Sequence, residues 1–185
     1  AQTGTIAIGY QSLTALTSGS NNLAVGYQAG DALTTGSYNI AIGDSALSAE
    51  TDCDASIAIG YQAGLVQNSA GSAGDDTGNV AIGHQAMRYN ETGAQNTYLG
   101  YQAGFGSSGR NHSGCLFIGY QAGATAYTGD NNIAIGDRAM DDVDADTTVG
   151  GSHDNLFIGR HAGGGTWVTA QSNYNVSIGN NSMDA

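Results

Sequence analysis

Apolar residues fall in short alternating bursts along the whole chain, each closed by glycine: TIAIG at 5–9, NLAVG at 22–26, NIAIG at 39–43, SIAIG at 56–60 and NVAIG at 79–83. The same pattern continues as NTYLG, CLFIG, NIAIG, NLFIG and NVSIG at 96–100, 115–119, 132–136, 155–159 and 175–179. Aligned on the closing glycines (Gly9, Gly26, Gly43, Gly60, Gly83, Gly100, Gly119, Gly136, Gly159 and Gly179), the units step by 17, 17, 17, 23, 17, 19, 17, 23 and 20 residues. A unit of 17 therefore accepts insertions without losing phase. Ile, Val or Leu stands one before each glycine, and an aliphatic residue (Thr97 once) stands three before it. Side chains two apart point to one face of an extended strand, so each unit is expected to carry one short β-strand with these two as its core side chains.

Two further columns fix the turns. Four before the glycine stands asparagine in seven units: Asn22, Asn39, Asn79, Asn96, Asn132, Asn155 and Asn175. Asparagine tolerates left-handed backbone at a corner, and amides in register can form a ladder. Three after the glycine stands only Ala or Ser, from Ser12 to Ser182, which implies a close neighbour and a second tight turn. One unit cannot fold alone. Burying two aliphatic side chains contributes about 3 to 6 kcal/mol, while ordering the backbone costs roughly 1 to 2 kcal/mol per residue. Units must stack, and strands stacked at about 4.8 Å make an all-β parallel solenoid of about ten rungs and roughly 48 Å. No segment shows a sustained 3.6-residue period. Residues 1–185 read as one repeat domain, with insertions near 65–75, 141–152 and 163–172 that all enter between the small residue and the asparagine. They should emerge on one side of the rod, where loops vary without disturbing the core.

The strings TIAIG, NIAIG, SIAIG, NVAIG and NVSIG, each followed by a small residue three positions on, resemble the head repeats of YadA-like trimeric autotransporter adhesins, and similar repeats occur in phage tail fibres. The resemblance implies a left-handed parallel β-roll, three chains side by side, and adhesion at a cell surface or, in the phage case, on a virion. The usual repeats of that family are shorter, and this sequence contains neither a coiled-coil stalk nor a membrane-anchor barrel.

Charge narrows the partners. Sixteen acidic residues face only Arg88, Arg110, Arg138 and Arg160, for a net charge of -12. Such a chain repels nucleic acid and anionic membranes, and no stretch approaches eighteen consecutive apolar residues. Copies of the chain itself, or a host surface protein or glycan, are the expected partners.

The column two before the glycine bears on self-association. It holds Ala7, Ala24, Ala41, Ala58, Ala81 and Ala134, with Tyr98, Phe117 and Phe157 in other units. If the flanking aliphatics form the core, this column lies on the opposite face, where a single wet sheet would carry polar residues. Either neighbouring turns cover it or another copy packs on Ala24, Ala41, Ala58, Ala81, Phe117 and Phe157. Joining the last unit to the first of a second copy would space their glycines by 15 residues, close to the ordinary 17, so end-to-end growth into a filament is a second expectation. The sequence also fits an array cut from a longer repeat.

Candidate chemistry is sparse. Asp142, Asp144 and Asp146 alternate in an insertion and are calcium candidates, although the sixth and twelfth positions of that loop hold Thr147 and His153 where an EF-hand needs glycine and a bidentate acid. No other cofactor is expected. GFGSSG at 104–109 matches a dinucleotide fingerprint in letters only, without the following helix that receives phosphates. His84, His112, His153 and His161 lack ligand spacing, and no nucleophile motif with partners is present. A non-enzymatic role is the expectation. Tyr10, Tyr27, Tyr61, Tyr101 and Tyr120, followed by glutamines, read as a stacked ladder or a binding file. Trp167, in the last insertion, is a contact candidate. Asn90 and Asn111 open the sequons NET and NHS and are glycosylation candidates. Cys53 and Cys115 lie three rungs apart, about 14 Å, too far for a bond within the chain; they are free or pair between chains. The combined expectation is a subunit of an extracellular fibre or adhesive appendage, with a receptor-binding or shaft segment of a phage fibre as the alternative. Ice binding is a minor one, because no file of threonine pairs is present.

Overall fold

A computed structural model describes residues 3–66, 77–106, 111–125, 129–141, 151–165 and 173–184. Ten strands carry the alternating bursts: β1 (Ile6–Ile8), β2 (Leu23–Val25), β3 (Ile40–Ile42), β4 (Ile57–Ile59), β5 (Val80–Ile82), β6 (Thr97–Leu99), β7 (Leu116–Ile118), β8 (Ile133–Ile135), β9 (Leu156–Ile158) and β10 (Val176–Ile178). They form one parallel sheet in chain order, so the chain is a β-solenoid. Equivalent residues lie directly over one another: Ala7 pairs with Ala24, Ala24 with Ala41 and Ala41 with Ala58. The insertions leave this register intact, since Ile59 still pairs with Ile82 and Ile135 with Ile158 across the longer steps.

Hydrogen bonds between rungs continue past the strands. Gly26 N donates to Ile8 O at 2.8 Å, Gln28 N to Tyr10 O at 2.9 Å and Gly30 N to Ala46 O at 2.9 Å, so the turn is stitched to both neighbours. The closing glycines stack in a column with φ between +131° and +141°. A Cβ on Gly43 would lie 2.6 Å from the carbonyl carbon of Gly60, so the column admits no side chain.

The asparagine ladder exists, and its main partners are backbone groups. Asn22 Oδ1 accepts from Asn39 N at 2.9 Å, while Asn22 Nδ2 donates to Gly36 O at 2.8 Å. Asn79, Asn96, Asn132 and Asn155 serve the next rung in the same way. Left-handed backbone falls one residue earlier than expected, at Asn21, Tyr38, Ala55, Gln95, Asn131, Asp154 and Tyr174. The asparagines satisfy a corner that their neighbours turn.

Which face is the core differs from the sequence expectation. The middle residue of each strand points inward: Ala24, Ala41, Ala58, Ala81, Tyr98, Phe117, Ala134 and Phe157 are all buried. The flanking aliphatics are half-buried or exposed. The physical reason is width. The small residues of the second turn, Ala29, Ala46, Ala63, Ala86, Ala103, Ala122, Ala139 and Ala162, are also buried, and the coil between them and the strand is too narrow for two branched side chains in every rung.

Volume is exchanged between two columns in six rungs of that coil, while Ala24 with Gly30 and Ala58 with Gly64 are small at both places. Where the strand supplies Ala41, Ala81 or Ala134, the fourth residue after the glycine is Leu47, Met87 or Met140, each buried. Where it supplies Tyr98, Phe117 or Phe157, that position is Gly104, Gly123 or Gly163, and a Cβ there would run into the ring. Tyr98 and Phe117 stack with centroids 4.8 Å apart and planes 10° apart.

Candidate self-association surface

Turning the middle residues inward leaves both flanking residues of every strand outside. Along one side of the rod run two files: Ile6, Leu23, Ile40, Ile57, Val80, Thr97, Leu116, Ile133, Leu156 and Val176, and beside them Ile8, Val25, Ile42, Ile59, Ile82, Leu99, Ile118, Ile135, Ile158 and Ile178. All are aliphatic except Thr97. Ten strands at about 4.8 Å make a strip about 43 Å long, and side chains about 7 Å apart make it about 10 Å wide. An apolar strip of about 400 Å² matches the largest patch of an ordinary monomer, a patch that is often functional.

Ala24, Ala41, Ala58, Ala81, Phe117 and Phe157, expected as contacts for another copy, are therefore corrected: neighbouring turns of the same chain cover them, and Ala24, Ala58, Ala81, Phe117 and Phe157 are 0% exposed. The contact property moves to the residues on either side of them. The signal that locates the true face is the column of small residues three after the glycine, whose size limits what can lie opposite.

Next to the aliphatic files stands the tyrosine file, and it is a stacked ladder. Tyr10 and Tyr27 stack at 5.6 Å; Tyr61, His84, Tyr101 and Tyr120 stack in succession at 5.1, 4.9 and 5.2 Å. A parallel amide ladder runs beside it, with Gln28 Nε2 donating to Gln11 Oε1 at 2.9 Å and the chain Gln121, Gln102, Gln85, Gln62 linked at 2.9 to 3.0 Å. Arg138 extends both: its Nε donates to Gln121 Oε1 at 3.2 Å and its guanidinium lies 5.7 Å from the centroid of Tyr120. His84 is thus a rung of an aromatic stack.

The remaining candidates separate. Asp142, Asp144, Asp146 and Trp167 lie outside the described residues. Among the described residues, no group of three or more His, Cys, Asp or Glu side chains is placed to hold a metal ion, and no helix is long and apolar enough to cross a membrane. Asn90 is corrected as a glycosylation candidate: it is 1% exposed, its Nδ2 donates to Gly93 O at 3.1 Å and its Oδ1 accepts from His112 N at 2.9 Å, so the folded rod hides the atom to be modified. Asn111 is half-buried, with Oδ1 accepting from Thr92 N at 2.8 Å. Cys53 and Cys115 are buried free thiols. Cys115 substitutes in the asparagine ladder, accepting at Sγ from Asn132 N at 3.4 Å, and burial pushes its thiol up to about 12. Burial likewise holds the Cys53 thiol well above its ordinary value.

Sequence reading missed one buried charge. Glu50 follows Leu16 and Leu33 in its column, and it is 0% exposed. Its Oε1 accepts from the backbone of Thr51, Asp52 and Cys53 at 3.0, 3.1 and 2.9 Å, while Oε2 has no partner. Desolvation outweighs those bonds and pushes the carboxyl up to about 7.

No protein-family model matches the chain, and comparison with curated proteins and with solved structures finds no significant match.

Proposed function

We propose that the chain is a non-enzymatic structural subunit of an extracellular fibre or adhesive surface appendage that assembles from copies of itself. The observation that supports this reading is the double aliphatic file, half-buried along most of a single chain and exposed at Ile6, Ile8, Leu99, Val176 and Ile178. Burying it removes apolar area from water at roughly 25 cal/mol per Å², and a second copy offers the matching regular surface. Three copies around one axis, the arrangement implied by the likeness to YadA-like heads, would shield the file of each from both sides.

Lengthwise growth uses contacts the chain already makes. Every rung stacks on one of different sequence through the same backbone bonds, the same glycine column and the same asparagine position, so a rung of a second copy can be received in the same way. In this reading the insertions at 65–75, 141–152 and 163–172 are where a host surface protein or glycan is met. Electron microscopy of the purified chain tests the proposal: fibres or rods joined side by side are expected, and separate short particles at every concentration would defeat it.

A further inference from the structure

The aromatic file lacks a ring at the third rung and again from the eighth rung on, and the aspartates that stand in it at the third and eighth rungs differ in their surroundings. At the eighth rung the residue after the glycine is Asp137, and the next is Arg138, whose guanidinium caps the stack over Tyr120 and closes the amide ladder on Gln121. At the third rung the residue after the glycine is Asp44, but the next is Ser45, whose Oγ donates to Asp44 Oδ1 at 2.6 Å. Here the chain supplies the carboxylate without the cation.

The third rung is also bounded on both sides. Tyr27 gives one face to Tyr10, and Tyr61 gives one face to His84; their other faces look toward each other across Asp44. Neighbouring rings in this file lie 4.9 to 5.6 Å apart, so two rungs separate Tyr27 from Tyr61 by about 10 Å. A cation midway would be about 5 Å from each centroid, inside the reach of a cation–π contact. Tyr27 and Tyr61 are 49% and 43% exposed, so the slot opens to solvent. The amide ladder breaks at the same height: Gln28 donates downward to Gln11, leaving its Oε1 on the side of the slot.

We propose that Tyr27, Asp44 and Tyr61 form a binding slot for an alkylguanidinium group, the side chain of an arginine on a partner molecule. Two ring faces take the flat cation between them, Asp44 neutralises it, and Gln28 Oε1 accepts one of its N–H groups. A planar guanidinium stacks on aromatic faces and fills such a slot better than a compact ammonium. The slot does not depend on the assembly reading, although a second copy is one source of the group: Arg160 stands exposed in the same column of the fold, at the ninth rung.

The test is ligand-observed saturation-transfer NMR on the full chain with N-acetyl-L-arginine amide, against its neutral analogue N-acetyl-L-citrulline amide. Saturable binding of the arginine probe is expected, about tenfold tighter than the citrulline probe. Ser45→Arg should abolish it by supplying the missing cation in place, as Arg138 does at the eighth rung, while Thr14→Arg, the same charge change at an exposed turn, should retain it. Arg160→Gln then separates the sources: increased probe binding identifies a second copy as the occupant, and unchanged binding excludes Arg160 of a second copy as the source. Equal response to the two probes, or full binding by Ser45→Arg, would overturn the slot.

Discussion

Gly123 lies flat against the ring of Phe117, so that a Cβ at Gly123 would sit 2.6 Å from Cδ2 and Cε2. Three rungs repeat this pairing of aromatic and glycine, and three others replace it by alanine and a long aliphatic chain. In these six rungs the core has two interchangeable solutions to one volume; Ala24 with Gly30 is small at both places, and Leu13 of the preceding rung packs against Gly30.

Gly123→Ala should cost about 2 to 4 kcal/mol, from overpacking and from a side chain at φ +61°. Phe117→Ala alone leaves a cavity and should cost about 3 to 5 kcal/mol. The double change Phe117→Ala with Gly123→Leu recreates the Ala41 and Leu47 solution, in which Leu47 already holds φ +50°. Its denaturant midpoint should exceed that of either single variant; additive losses would contradict volume exchange.

Asn39 answers three needs at one buried point. Its Oδ1 accepts from Ser56 N at 2.9 Å and from the thiol of Cys53, and its Nδ2 donates to Cys53 O at 2.7 Å. Asn39→Ala strands two buried backbone groups and should cost about 2 to 6 kcal/mol in chemical denaturation. A loss under about 1 kcal/mol, the size of an ordinary exposed bond, would show that the ladder is dispensable.

Glu50 makes stability depend on pH in a stated direction. Its folded carboxyl titrates at about 7 against an ordinary 4.5, so the folded chain binds the proton more tightly than the unfolded one. The associated stability is complete below pH 4.5 and is lost as pH rises through 7, a change of about 3 kcal/mol. The melting temperature should therefore fall from pH 5 to pH 8, and Glu50→Gln should flatten that fall. Equal pH slopes in the two chains would remove Glu50 as its source.

The period, the ten strands, the closing glycines and the solenoid were legible because each is a local rule repeated: two-residue alternation for strands, a backbone too crowded for a Cβ at the glycines. Which face of the strands points inward was not legible from alternation, since isoleucines flanking an alanine satisfy a period of two in either phase. What decides the phase is packing across the coil, where Ala58 shares one buried core with Ala46, Ala63 and Ala86 of the opposite turns. The same non-local pairing hid the exchange between Tyr98 and Gly104 and the burial of Glu50, although both columns can be read once the phase is known. The slot at Asp44 was visible as a gap in the tyrosine file, but its meaning came from the guanidinium of Arg138 over Tyr120.

The aliphatic file is the feature on which the functional account stands. Sedimentation velocity of the unmodified chain and of Ile40→Lys/Ile57→Lys, over a wide range of concentrations, measures its role most directly. The account predicts concentration-dependent association of the unmodified chain and clearly weaker association, its side-by-side component lost, with unchanged circular dichroism for the variant; a monomeric unmodified chain, or equal association by both, would contradict it.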